Sequence, residues 1–139
     1  MKALSVKQPW LDAILYGNKT TENRTWAPGA QLGARILLHA SAAPDRRAVL
    51  PHDTDTTKWP GIRSAILAVA TPADYHLADG CCRPWGEPQA SPAERPVYHW
   101  RLTDIHLLEP IPCPGALRFW TPSADVLNAI TTQLALETG

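Results

Sequence analysis

Apolar and polar positions alternate with short, changing periods along this chain, and the elements they predict are correspondingly small. Leu4-Ser5-Val6 is a brief apolar start. Pro9 then sits where the first turn of a helix accepts proline, and Leu11, Ile14 and Leu15 share one helical face before Gly17-Asn18, so the spacing predicts a helix from about Pro9 to Tyr16. Lys19 to Trp26 alternates and is rich in threonine, which predicts a strand ended by Ala27-Pro28-Gly29. Arg35 to Ala40 reads as a second strand, after which Ser41 can cap a short helix through Asp45 to Leu50. Pro51 to Gly61 reads as loop, and Ser64 to Thr71, almost wholly apolar, as a strand buried on both faces. Val97 to Leu108 alternates and predicts a strand bent near Asp104, followed by a turn at Pro110 to Gly115 and a last short strand at Leu117 to Trp120. Thr121-Pro122 opens a helix with Val126, Leu127, Ile130 and Leu134 as its apolar stripe.

Short strands joined by proline-rich turns, with a few short helices, define an α+β class: a small mixed or antiparallel β-barrel of about five to six strands flanked by helices. The length, 139 residues, fits one domain spanning 1–139. Prolines 84, 88, 92 and 96 forbid helix and central strand over about 79–96, and a loop that long in a small domain is usually mobile or functional. No apolar run reaches eighteen residues and the N-terminus lacks the apolar core of a signal peptide, so the expectation is a cytoplasmic protein without a membrane partner. Cys81, Cys82 and Cys113 make no disulfide framework. No Cys-x-x-Cys or His-x-x-x-His spacing supports zinc, so the cysteines read as reduced thiols, and neither metal nor cofactor is expected.

The formal net charge is zero, yet it is unevenly distributed. Residues 1–47 hold seven Lys/Arg against three acids, a net of +4, and the remainder carries −4. A neutral chain grips phosphate weakly by charge alone, so any nucleic-acid function must rest on a pocket. Six tryptophans against three tyrosines and one phenylalanine point the same way, because cores are filled by Phe and Leu without a buried N–H to satisfy.

The densest chemistry is Gly17-x-Lys19-x-x-Glu22-x-Arg24-x-Trp26. On a strand, residues 20, 22 and 24 share a face, and Lys19 at the preceding turn can reach over it. Taken with Leu4-Ser5-Val6-Lys7-Gln8-Pro9-Trp10 before it, and Gly33 and Ile36-Leu37-Leu38-His39-Ala40-Ser41 after it, the segment resembles the opening of the ASCH domain (activating signal cointegrator homology) of the PUA-like superfold. Ala65 to Val69, Trp100-x-Leu102, Pro110-Ile111-Pro112 through Gly115, and Phe119-Trp120 are similar to that family's later strands.

The resemblance implies a β-barrel with a cleft lined by the signature residues, in a superfold whose relatives bind RNA or hold one modified base. The implied ligand is single-stranded RNA or a nucleotide-sized molecule, with DNA a further candidate, and the implied binding residues are Ser5, Gln8, Trp10, Lys19, Glu22, Arg24, Trp26, His39 and Ser41. Their chemistry suits such a ligand. Trp10 and Trp26 offer stacking faces, Glu22 can accept from an exocyclic amine, Arg24 can fork onto phosphate or a base edge, and Lys19 is a point charge for phosphate. Plainer readings stand beside these: a surface ion pair for Glu22 and Arg24, core for Trp10, a barrel lid for Trp26, a helix cap for Gln8, and a satisfied core histidine for His39.

Two alternatives to binding remain. Some ASCH-like proteins are acetylcytidine amidohydrolases that use a lysine and a threonine three residues on. Here that position is Glu22, and Thr21 would point to the opposite face, so that mechanism does not carry over. A ribonuclease route would use Lys19 to stabilise the phosphorane while His39 or Glu22 moves the proton, and Lys19 and Glu22 are the candidate catalytic residues of a small metal-independent hydrolase acting on RNA or, as a nucleoside amidohydrolase, on an acylated nucleoside. The other alternative is a protein-interaction module presenting residues 79–96.

Overall fold

The computed structural model describes residues 1–88 and 95–138, so part of the proline-rich stretch lies outside the described residues. Strands β1 (Ala3–Val6), β2 (Thr21–Arg24), β3 (Ile36–Ala40), β4 (Ala65–Leu77), β5 (Tyr98–Pro112) and β6 (Phe119–Trp120) form one mixed sheet in the order β2-β5-β4-β3-β1-β6. Only β1 and β3 run parallel, and the helix α1 (Trp10–Tyr16) lies in the segment that connects them. The two outer strands approach each other across the curl: the ring of Trp26, just past β2, lies 5.3 Å from that of Phe119 in β6, and Arg24 Nη2 donates to the Ser5 carbonyl at 2.8 Å. The sheet is a half-closed barrel of the PUA-like α+β kind.

Its two faces account for the uninterrupted apolar runs. Leu4, Leu38, Ala68, Trp100 and Leu102 fill the inside of the curl with Leu11 and Ile14 of α1. Ala3, Leu37, Ile66 and Val69 point outward, where α2 (Ala124–Thr138) covers them with Ile130, Val126, Leu127 and Leu134. Every residue of β3 is therefore buried. Ser123 caps α2, its Oγ accepting the Val126 N–H at 3.3 Å, two residues after the predicted start.

Four expectations are corrected. The strand predicted over Lys19 to Trp26 is confined to Thr21–Arg24, so Thr20 stays in the turn, donating no side chain to the face of Glu22. The helix predicted for Asp45 to Leu50 does not form. Asp45 instead ties the segment to α1, its N–H donating to the Gln8 carbonyl at 2.7 Å and its carboxylate accepting the Trp10 indole N–H at 2.8 Å, and Val49 is 84% exposed, leaving no apolar face for a helix to bury. Strand β4 runs past Thr71 to Leu77, with Pro72 at a register irregularity beyond the end of β3. Strand β5 runs through Pro110 to Pro112, where a turn was predicted; β2 pairs with it only over 98–101, so its later part has a free side on which missing N–H groups cost no ladder bond. The bend near Asp104 is a bulge with Asp104 at φ +52°.

Candidate functional site

The cleft begins with the turn after α1. Gly17 and Lys19 both donate their N–H to the Ala13 carbonyl, Asn18 takes a left-handed φ of +61°, and Lys19 is thereby turned inward. Its side chain is 2% exposed. The ammonium donates to the Thr21 carbonyl and to Glu22 Oε1 at 3.2 Å. Strand periodicity puts Arg24 beside Glu22, and its Nε and Nη2 both reach Glu22 Oε2, at 2.9 and 2.8 Å. Burial alone would raise the Glu22 pKa; the charges and hydrogen bonds of Arg24 and Lys19 outweigh it and hold the carboxyl below its ordinary range. The surface ion pair of the plainer reading is thus a buried three-membered array carrying one net positive charge. Lys19 lies 5.9 Å from the Trp10 ring and Arg24 5.9 Å from the Trp26 ring, so an indole stands at each end.

A second polar group meets the array from β1 and β3. Ser5 and His39 are register partners, 3.0 Å apart at Ser5 Oγ and His39 Nδ1. His39 Nε2 lies 2.8 Å from the Cys113 carbonyl, which only accepts, so Nε2 carries the proton and Nδ1 accepts from the Ser5 hydroxyl. The Trp120 indole N–H donates to Ser5 Oγ at 3.1 Å. Burial pushes the His39 pKa below its ordinary value against the opposing pull of the Cys113 carbonyl, and the ring is neutral at pH 7. Gly115 closes over this pair so tightly that a Cβ there would sit 2.5 Å from Ser5 Oγ and 2.6 Å from His39 Cε1.

These groups line one open cleft of about 720 Å³. Of the nine predicted residues, Ser5, Trp10, Lys19, Glu22, Arg24, Trp26, His39 and Ser41 all line it. Gln8 does not. It is buried, accepting the Asp12 N–H at 2.9 Å and donating to Asp12 and the Ile62 carbonyl, which is the helix-cap reading. Asp12, also buried, accepts the Gly61 N–H at 2.8 Å and so anchors the loop before β4. Trp26 combines two roles: its ring packs edge-on against Trp100 and Phe119, while the Arg118 guanidinium lies 4.9 Å from its centroid. Sequence reasoning missed Arg118, whose left-handed φ of +56° and exposed position leave no pattern to read. The charged residues of the lining are Lys7, Lys19, Arg24 and Arg118 with Glu22, Asp45 and Glu87, four cations and three carboxylates. Thr21 is absent from the lining and opens onto a separate cavity across β2, as strand alternation requires.

Around that second cavity the fold brings together groups that lie apart in the sequence. Cys81 and Cys82, expected to be plain thiols, lie with His76 and His99, and their four donor atoms are all within 4.8 Å of one another. Linear spacing missed the grouping because two of its members meet only through the pairing of β4 with β5.

A half-closed mixed barrel whose first helix and second strand deliver a Lys-Glu-Arg array to a cleft defines a small PUA-like module. The ASCH domain profile matches residues 4–106, well over half of the sequence, and the chain belongs to the ASCH domain family. Its fold is similar to the crystal structure of ASCH from Zymomonas mobilis, at TM-score 0.59 and 16% identity, with 94% of this chain and 93% of that chain covered. A tyrosine-to-phenylalanine mutant of the same Zymomonas mobilis protein superposes at TM-score 0.58 and 16% identity over 94% of this chain and 96% of that one. None of the curated proteins matches the chain. Among the described residues no helix is long and apolar enough to cross a membrane.

Proposed function

We propose that the chain is a binding module for single-stranded RNA or a nucleotide-sized piece of it, held in the cleft between β1, β2 and β3. One observation carries this reading: Glu22 is fixed as a carboxylate between two cations at the cleft floor, with an indole beyond each cation. The geometry also refines the roles. Lys19 is buried and committed to Glu22 and Thr21, so it positions the array and leaves direct phosphate contact to Arg24 and the exposed Arg118. Arg24 commits Nε and Nη2, and Nη1 has no protein partner among the described residues. A base entering the cleft would stack against an indole, a contact worth about 1–3 kcal/mol. Binding of short single-stranded RNA and of nucleoside monophosphates, followed by fluorescence or calorimetry, is expected to weaken about tenfold in Arg118→Ala, a change of about 1.4 kcal/mol. Equal affinity in Arg118→Ala and in Arg24→Lys, with the fold intact, would overturn the proposal.

A second reading rests on Ser5 and His39. A neutral imidazole with an accepting Nδ1 on a hydroxyl is the arrangement of a base beside a nucleophile, and it supports a hydrolase acting on RNA. Incubating the protein with single-stranded RNA separates the readings: cleavage that disappears in His39→Gln supports the hydrolase, and intact RNA retained by both proteins supports the binder.

A further inference from the structure

We propose that His76, Cys81, Cys82 and His99 form a tetrahedral zinc site, independent of whatever the cleft binds. His76 and His99 are register partners on β4 and β5, so the sheet itself sets the two imidazoles side by side, their centroids 5.3 Å apart. The chain leaves β4 through Gly80 at φ +66°, and Cys82 at φ +62° turns both sulfurs back onto them. His76 Nε2 is 3.2 Å from Cys81 Sγ and 3.4 Å from Cys82 Sγ, and His99 Nδ1 is 3.5 Å from Cys81 Sγ. Zinc bonds of about 2.3 Å to sulfur and about 2.0–2.1 Å to nitrogen make tetrahedron edges of about 3.3–3.8 Å, the scale of these separations.

The surroundings fit the same assignment. His99 Nε2 donates to the Glu87 carbonyl at 2.7 Å, which fixes the tautomer and leaves Nδ1 as the free lone pair, the outer-sphere arrangement typical of ligating histidines. The loop is closed by the Gly86 N–H on the Cys82 carbonyl at 2.7 Å, and a Cβ at Gly86 would lie 2.7–2.8 Å from Cys81 O, Cys82 Cβ and His99 Cε1. Asn23 holds the loop from β2, donating to the Trp85 carbonyl and accepting the Glu87 N–H. Thiols are weak hydrogen-bond donors, so direct pairing returns little for ordering four such groups together, and a cation supplies what is missing. Two thiolates with two imidazoles select a soft or borderline ion over magnesium or calcium. Four protein ligands make a closed site of the structural type. Binding would release the two thiol protons to solvent and leave the zinc-dithiolate unit neutral. It would also clamp residues 81–87 and with them Glu87, a wall residue of the cleft.

The test uses the full chain, purified under reducing conditions and titrated with zinc, with metal content measured by mass spectrometry. One zinc per chain is expected. Cobalt in its place should give the intense visible bands of a tetrahedral ion and a thiolate charge-transfer band. Cys81→Ser/Cys82→Ser and, separately, His76→Ala, an exposed ring whose loss leaves the core untouched, should each weaken binding at least tenfold. Cys113→Ser, distant in the fold, should retain full zinc content. Reduced protein that takes up no zinc, a cobalt spectrum without thiolate bands, or a His76→Ala protein binding as tightly as the unaltered chain would overturn the assignment.

Discussion

Strand β2 separates two polar clusters built on opposite principles. On one side, Lys19 and Arg24 share the Glu22 carboxylate, each of its oxygens has a cationic donor, and one net positive charge remains. On the other, two thiols and two imidazoles converge with only weak mutual hydrogen bonds. The first cluster is complete as folded and needs a ligand only for function. The second, under the proposed zinc assignment, would gain from a bound metal in addition to the hydrogen bonds that hold its loop. Order in the cleft floor is therefore a property of the chain, whereas the proposed zinc site would link order in the 81–87 loop to metal supply.

The sharpest way to break that contrast is Glu22→Ala. It leaves the Lys19 ammonium buried with no counter-charge, so the expected loss is about 3–5 kcal/mol in urea or thermal unfolding. Replacing both buried partners, as Lys19→Met/Glu22→Leu, should recover part of it, because the apolar pair removes the uncompensated ammonium and leaves only the half-buried Arg24 without its carboxylate. A loss under about 1 kcal/mol in Glu22→Ala would reduce the array to an ordinary surface pair.

The same contrast explains what could be read from the sequence. The cleft array lies within six consecutive residues, and one turn and one strand period suffice to place it. Trp10, Ser5 and His39 join it through short apolar elements whose faces are marked by Leu4, Leu11 and Leu38. The thiol-imidazole cluster depends on the register of strands thirteen and fifteen residues long, interrupted at three points, which no local pattern encodes. The unformed helix after Ser41 failed for a similar reason: Asp45 is claimed by Trp10, 35 positions away. Proline placed the turn at Pro110 too early, because its cost depends on whether a neighbouring strand is present, and there β2 has already ended.

Two glycines sharpen the comparison at the next level. Gly115→Ala drives a methyl group into Ser5 and His39, and Gly86→Ala drives one into Cys81, Cys82 and His99. Each should cost about 1–3 kcal/mol of stability from overpacking. Their ligand effects should diverge. Gly115→Ala weakens RNA binding and leaves zinc content unchanged, whereas Gly86→Ala lowers zinc uptake more than RNA affinity. Paired titrations of the two variants check this, and identical profiles would mean the clusters are not separate. A smaller loss, about 1 kcal/mol, is expected for Trp10→Phe, which removes the hydrogen bond to Asp45 while keeping an aromatic ring.

Acid titration resolves the two halves of the cleft from each other with the smallest energies. His39 is pushed below 6.5 in the folded chain, so as pH falls from 7 the unfolded state takes up its proton first, and stability declines from about pH 6.5 downward through the folded value. Glu22 is held below 4.5, so its contribution is fully present above that pH and is lost only as pH falls through its lower native value. Unfolding free energy measured against pH should therefore fall in two steps. In His39→Gln the upper step disappears and the lower one stays, because glutamine can still bridge Ser5 and the Cys113 carbonyl but takes up no proton. A single step unchanged by His39→Gln would mean that the imidazole is solvated in the folded chain and that the Ser5 hydroxyl is not donating to it.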